Sequence, residues 1–453
     1  MTRLHQCPYT RPMKTSHSAG FLFGLYLFCS PGLVFSGGLL EIYQLAAKND
    51  PQLMAANASL LAVREEKPQS IAQLLPTISA SGDRTENKQD IRSVGQTFVP
   101  PTKESFDSHG YSLNLTQPVF RYDLFVGLGQ ANSRIAQAEA DYRVAQQDLI
   151  VRVAERYFDE LASIDNLEFA RAEKQAVARQ LDQAKQRFDV GLIAITDVHE
   201  AQAAYDLTVA QEIVAENLLA NSREALQEFT GPYQENLQIV SRDIPLITPE
   251  PVDINKWAAT AEQNNVEIKS AYQAAEVARK EVQKQRAGHF PTLDIVASKS
   301  NAKSNAQFGT IADRESIGLE LNVPIFQGGL INSRTRQAQY RYEEAKHTLE
   351  QQKRAVNRQT RDAYLGVIAG ISRVKALKQA VLSNQKALDA TNAGFEVGTR
   401  TIVDVLLGQR ELFRAKQNYA RSRYDYILNT LRLKQASGTL TVADIESINR
   451  WLE

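Results

Sequence analysis

Cysteine is nearly absent from this chain. Of 453 residues only Cys7 and Cys29 are cysteines, both within the first 36, so a chain cut after that stretch has no thiol for a disulfide or a thiolate metal site. Its stability then rests on packing. The six histidines, at 5, 17, 109, 199, 289 and 347, are too scattered for a metal-ligand pattern. With no Gly-rich phosphate loop and no nucleophile elbow, nothing marks an enzyme, a cofactor site or a metal site. Neither sign of charge is in excess, with 52 Lys and Arg against 52 Asp and Glu, which argues against nucleic acid as a partner. Outside the N-terminus no apolar run approaches the ~20 residues that a spanning helix needs. A membrane crossing must therefore be made of strands.

Residues 1–36 read as a signal peptide. Arg3, Arg11 and Lys14 precede the apolar run FLFGLYLF at 21–28, then come Pro31 and Gly32, and Val34 and Ser36 have the spacing of a signal-peptidase cut. A start at Met13 gives a more ordinary signal length. Lipidation at Cys29 is disfavoured by Phe28, where a lipoprotein signal wants a small residue. Removal of the signal leaves 52 − 3 = 49 basic against 52 acidic residues.

What the chain has in plenty is repetition. Residues 187–198 read RFDVGLIAITDV and residues 394–405 read GFEVGTRTIVDV, pairing Phe188 with Phe395, Gly191 with Gly398 and Asp197 with Asp404 at a constant offset of 395 − 188 = 207. Each copy lies between two long Ala- and Gln-rich stretches and carries Gly where the chain must reverse, so each predicts the tip of an antiparallel helical hairpin. The first repeat spans 37–230, with two strands near 76–118 and a tip near 190–197. A Pro-rich linker at 231–256 follows. The second repeat spans 257–437, with strands near 291–324 and a tip near 397–404, and a segment at 438–453 ends the chain with Thr441 capping a last short helix.

Within each repeat a helix ends at a proline, Pro76 or Pro291, and becomes a strand. Tyr111, Leu113 and Leu115 alternate with Ser112, Asn114 and Thr116, and Ile317, Leu319 and Leu321 alternate with Gly318, Glu320 and Asn322. Such period-two strands separate an apolar medium from a wet one. Four strands cannot close a transmembrane barrel, for which about eight is the minimum, so the pattern requires an oligomer. The longest helices, about 122–189 and 332–396, carry coiled-coil seams such as Ile150, Ala154, Tyr157, Leu161 and Ile164, and each is roughly 100 Å long. The return helix, about 196–229, covers only half of that. The helix from Asp50 must stack on its end to cover the rest, and the linker and the C-terminal segment then fall at mid-height as a belt.

Together the doubled VG-x5-DV tips, GHFPTLDIVAS, and VPIFQGGLINS followed by QAQY resemble the TolC family of outer-membrane exit ducts, over essentially the whole chain after the signal. The resemblance implies a homotrimer whose twelve strands form one outer-membrane β-barrel in contact with lipid, continued by a long α-helical periplasmic barrel. It also implies a periplasmic adaptor and an inner-membrane efflux or ABC transporter as partners. In that family polar links among hairpin tips close the periplasmic mouth, which assigns Thr196, Asp197, Phe395, Arg400, Asp404 and Leu407 to the constriction here. Phe395 departs from the family's tyrosine and Leu407 from its second acid. Adaptor docking falls by the same resemblance on Gly191, Leu192, Gly398 and Thr399. The function expected is a passive exit duct for multidrug efflux or type I protein secretion. A trimeric coiled-coil surface adhesin and a periplasmic structural scaffold are the rival readings, and strands in mid-chain count against the adhesin.

Overall fold

The computed structural model describes residues 37–91, 102–233, 236–241, 244–306 and 309–452; the signal peptide expected at 1–36, Cys29 and the alternative start at Met13 lie outside the described residues. Helices α1 (Leu39–Asn49) and α2 (Pro51–Arg64) meet at Asp50, whose carboxylate accepts the Leu53 N–H at 3.0 Å while Pro51 fills the first helical position. A short α3 (Glu66–Ala72) continues α2 after a break at Glu65. The periodicity predicts one helix to Gln73. The break arises because Pro68 has no N–H to offer the Arg64 carbonyl.

After Pro76 come strands β1 (Thr77–Ile91) and β2 (Thr102–Phe120), then α4 (Tyr122–Asp189) and α5 (Ile195–Thr230). The second repeat supplies α6 (Ile254–Asn264), α7 (Val266–Arg286), β3 (Thr292–Ser304), β4 (Thr310–Asn322), α8 (Leu330–Glu396) and α9 (Ile402–Ala436), followed by α10 (Val442–Asn449). Helices α4 and α8 run for 68 and 67 residues, since no proline occurs between Pro118 and Pro232 or after Pro324. Their return partners α5 and α9 have only 36 and 35 residues.

The missing length is supplied by end-to-end stacking. At the first junction the Asn49 side-chain amide donates to the Thr230 carbonyl at 2.5 Å, and at the second the Asn265 amide donates to the Ala436 carbonyl at 2.9 Å. Both satisfy last-turn carbonyls that a helix leaves unpaired. Gly438, with φ +72°, lets the chain leave there; a Cβ on it would stand 2.6 Å from the Asn264 carbonyl carbon and oxygen.

Around these junctions lies the largest apolar core, in which Tyr157, Phe158 and Leu161 of α4 meet Val367 and Ile371 of α8 and Tyr424, Ile427 and Leu431 of α9. The Phe158 and Tyr424 rings stack at 5.6 Å. Residues 37–40, 237–241, 244–247 and 449–452 wrap this core. Val240 bridges Leu452, and the Ser241 N–H donates to the Trp451 carbonyl at 3.0 Å. The wrapping is tied to the helices by polar groups: the Tyr157 hydroxyl donates to the Gln238 carbonyl at 2.7 Å, the Ile247 N–H donates to the Tyr426 hydroxyl at 2.8 Å, and Arg423 donates to the Ser241 carbonyl at 3.1 Å. Burial pushes the Tyr157 and Tyr424 phenols up, which keeps both as neutral donors.

In cross-section α5 packs on α4, α4 on α9 and α9 on α8, whereas nearer the strands the order is α2, α4, α7 and α8. One flank of the chain is therefore the single helix α8, and the other is the stacked pair of α2 and α5. Exposed Leu207, Val214 and Leu218 on α5, Met54 and Leu61 on α2, and Leu365 and Leu382 on α8 mark both flanks as unpartnered.

The strands form one antiparallel sheet in the order β1, β2, β3, β4, with both edges open. The register places Ile78, Leu115, Ala297 and Ile317 in one row across the sheet and Ser79, Asn114, Ser298 and Ser316 in the next, on the opposite face. Exposed apolar side chains, Ile317 at 82% and Leu319 at 72%, cover one face. Hydroxyls cover the other, with Ser81 bonded to Ser112 and Ser298 to Ser316, each at 2.8 Å. Where the sheet meets the helices, Arg121 at the start of α4 binds Asp294 of β3 through two hydrogen bonds of 3.0 and 2.6 Å. Such a sheet divides hydrocarbon from water. Ile317→Lys should therefore cost about 2–4 kcal/mol in the membrane and reduce the yield of inserted protein on heat-modifiability gels, whereas Ser316→Lys on the wet face should insert as the wild type does.

Candidate functional site

Farthest from the sheet are the two hairpin tips, which turn by the same local chemistry. In the first, Gly191 at φ +76° donates to the Phe188 carbonyl at 2.8 Å and the Leu192 N–H donates to the Arg187 carbonyl at 2.9 Å. In the second, Gly398 at φ +79° donates to the Phe395 carbonyl at 3.2 Å and the Thr399 N–H donates to the Gly394 carbonyl at 2.8 Å. The left-handed residue that closes each helix is glycine because a side chain there is strained. No heavy atom stands within 4 Å of a Cβ built on either glycine, and Leu192 is exposed. The docking residues expected from sequence thus lie together on the outermost turns, open to solvent.

The return helices start differently. On α9, Thr401 is a full cap: the Asp404 N–H donates to its hydroxyl at 3.3 Å, and the Asp404 carboxylate accepts the Thr401 N–H at 2.9 Å and the hydroxyl at 3.0 Å. These donors, first the backbone N–H and then the hydroxyl, with Arg400 nearby, hold the Asp404 carboxyl below its ordinary range. On α5 the cap position is Ala194, which has only a backbone N–H to give to Asp197, at 3.3 Å. Thr196 and Arg400 are exposed. Leu407, one turn into α9, is 43% exposed.

Phe395 is buried, unlike the other residues expected at the constriction. It is 8% exposed, in a small core with Leu181 and Ala184 of α4, Ala201 of α5, Leu388 of α8 and Ile402, Val405 and Leu412 of α9. The Arg187 guanidinium lies over its ring, 4.4 Å from the centroid. Sequence reasoning had no signal for Arg187, whose partner is 395 − 187 = 208 residues away. Thr401 did have one, because Thr-x-x-Asp before an apolar run is a helix-start pattern.

The outer membrane efflux protein family matches residues 42–232 and 257–439, two pieces that meet the two repeats. Outer membrane protein TolC of Vibrio cholerae serotype O1 is 39% identical over 425 residues, covering 93% of this chain and 95% of its own. TolC of Escherichia coli K12 is 36% identical over 95% of this chain and 88% of its own. The alkaline protease secretion protein AprF of Pseudomonas aeruginosa is 30% identical over 94% and 90%. Among solved structures, CusC superposes with a TM-score of 0.77 at 18% identity, covering 89% of this chain and 92% of its own.

Loss of the cap tests the helix-start role of Asp404. Thr401→Ala should speed amide hydrogen exchange across 402–405 by about fivefold and raise the Asp404 pKa. The sign follows from the depressed value: the carboxylate's contribution is complete above the ordinary aspartate range and is lost as pH falls through the lowered folded value. Exchange measured from neutral pH downward should show the gap between wild type and Thr401→Ala narrowing at the acid end without closing, because the Asp404 N–H still donates to the Thr401 hydroxyl when the carboxyl is protonated.

Proposed function

Because the chain belongs to the outer membrane efflux protein family, we propose that it works as a homotrimeric, passive exit duct in the outer membrane, driven from the inner membrane by a transporter joined to it through a periplasmic adaptor. Relatives of both kinds, efflux proteins and protease secretion proteins, are similar over most of its length. The observation that carries the reading is the sheet: apolar on one face, hydroxyl-lined on the other, and open at both edges. Three copies supply 3 × 4 = 12 strands, enough to close a barrel around water.

The flanks favour the same assembly. Apolar residues line α8 on one side of the chain and α2 with α5 on the other, and within the chain a single long helix already packs beside a stacked short pair. Joining α8 of one copy to α2 and α5 of the next repeats that arrangement head to tail, and such an interface closes into a ring when its rotation allows. No step calls for a cofactor or enzymatic chemistry. Rigid walls and a mouth that opens suffice.

At the mouth, the exposed Arg400 and Thr196, the half-buried Asp197 and Asp404 and the exposed Leu407 form the constriction, with Phe395 behind them. Exposed ion pairs are worth only ~0–1 kcal/mol each, so links between copies through Arg400 yield to an adaptor. Three ionised Asp404 carboxylates around a narrow opening concentrate cations. The open, left-handed glycines at 191 and 398, beside Leu192 and Thr399, support docking of the adaptor there.

Planar-bilayer recording tests the duct directly. The purified protein should run as a trimer and conduct; Asp404→Asn should lower cation preference, and Arg400→Ser should raise conductance. A protein that is only monomeric and never conducts would overturn the reading. For the docking surface, Gly191→Trp with Gly398→Trp should leave the trimer assembled but lower drug resistance in a host relying on this duct; unchanged resistance would remove the adaptor from this surface.

A further inference from the structure

The duplicated tips have divided a task that neither copy performs alone. At equivalent positions the first tip has Arg187 and Phe188 and the second has Gly394 and Phe395. Phe188 is 39% exposed whereas Phe395 is buried. The arginine of the first copy has crossed to the ring of the second. Where the second copy has Gly394, the stem of its own Arg400 fills the space, with Cγ only 2.8 Å from where a Cβ would be. The equivalent of Arg400 in the first tip, 400 − 207 = 193, is Ile193, which packs against the small core instead. Thus one arginine faces inward across the seam and the other faces outward.

Among the described residues Arg187 makes no salt bridge, and it is half-buried. Its charge is satisfied across the seam by the face of an aromatic ring that is held still by Leu181, Ile402 and Val405. A guanidinium on a desolvated ring face interacts more strongly than on an exposed one, and because it is partly shielded it is less weakened by salt than an exposed ion pair. Among the described residues no hydrogen bond or salt bridge joins the last turn of α4 to the last turn of α8. Any motion that parts the two hairpins of one chain must lift the guanidinium from the ring.

The geometry points to Arg187 and Phe395 as a latch inside each chain, a cation–π contact between its two hairpins that holds the mouth closed independently of the links between chains. Arg187 is a positioning residue for opening and need not touch what passes. The absence of a hydroxyl at Phe395 is then no loss of closure, because the ring face takes over. This inference rests on the duct reading for its meaning, while the contact itself can be tested without it.

The experiment is a double-mutant cycle, Arg187→Ala, Phe395→Leu and both together, on trimers that assemble on native gels, with Arg187→Gln replacing Arg187→Ala should the latter not assemble. Each single change should lower the closed-to-open ratio in bilayer recordings by roughly 2- to 30-fold. The double variant should open no more readily than the more open single variant. Phe395→Tyr should conduct no more than the wild type, and Arg187→Lys should recover part of the closure. Removal of the charge from the mouth alone would act equally with or without the ring, so independent, additive effects would overturn the latch, as would an unchanged Arg187→Ala. The Arg187→Ala effect should persist at about 1 M salt, where that of Arg400→Ser fades. Limited proteolysis near residue 190, run on the same cycle, reads the contact in protein that need not conduct. A wild type that never conducts then speaks against the duct, and additive protease sensitivity speaks against the latch.

Discussion

A helix about 100 Å long cannot be left bare, and no single return helix in this chain is long enough to cover it. Helices α4 and α8 are each covered by a return helix over one half and by an ascending helix over the other. The joint between the short helices is therefore the constraint on which the rest depends. It is where last-turn carbonyls need donors, supplied by Asn49 and Asn265. It is also where a positive φ lets the chain leave at Gly438, and where the chain segments outside the repeats gather. Tyr157, Tyr426 and Arg423 fasten those segments from the helix side, and each ends a buried polar group on a backbone carbonyl or N–H.

With the waist fixed, the two ends are free to differ. Toward the membrane the chain gives up its helices at Pro76 and Pro291 and becomes a sheet whose alternation serves two solvents. Away from it the core thins to the few apolar residues around Phe395. Beyond that the side chains are solvated, the apolar Val190, Leu192 and Val397 among them, a distribution suited to an end that must open, because few buried contacts must part. The small tip core and the Arg187 contact join hairpins within one chain, while Arg400 stands exposed at the tip. In the closure proposed above, a shielded contact and several exposed ones share the task, and salt weakens the exposed ones more.

Duplication explains why the two repeats resemble each other where they are structural and diverge where they meet. Gly191 and Gly398 perform the same turn, and Asp50 and Asn265 cap equivalent helices. Yet Ala194 and Thr401 start their helices with unequal caps, and Arg187 stands opposite Gly394 in the alignment of the two copies. Identical halves would place two arginines or two rings against one seam. Divergence at that seam allows one charge and one ring to meet.

By itself the sequence determined the elements and their order. Proline positions set the helix-to-strand changes, absence of proline set the long helices, period-two alternation set the two faces of the sheet, and the repeat offset placed the tips. Each of these is a local property of the backbone or a periodic one, so it can be read along the chain. The end-to-end stacking was also legible, because it follows from lengths alone. Pro68 interrupting the second helix could have been read in the same way. Only the tertiary structure decided that Phe395 is buried while Phe188 is not, that Arg187 crosses to the other repeat, and that Tyr157 and Tyr426 grip the waist. Those contacts join residues far apart in sequence, and their energy comes from burial and orientation, which depend on what the fold brings alongside rather than on any pattern within a single stretch.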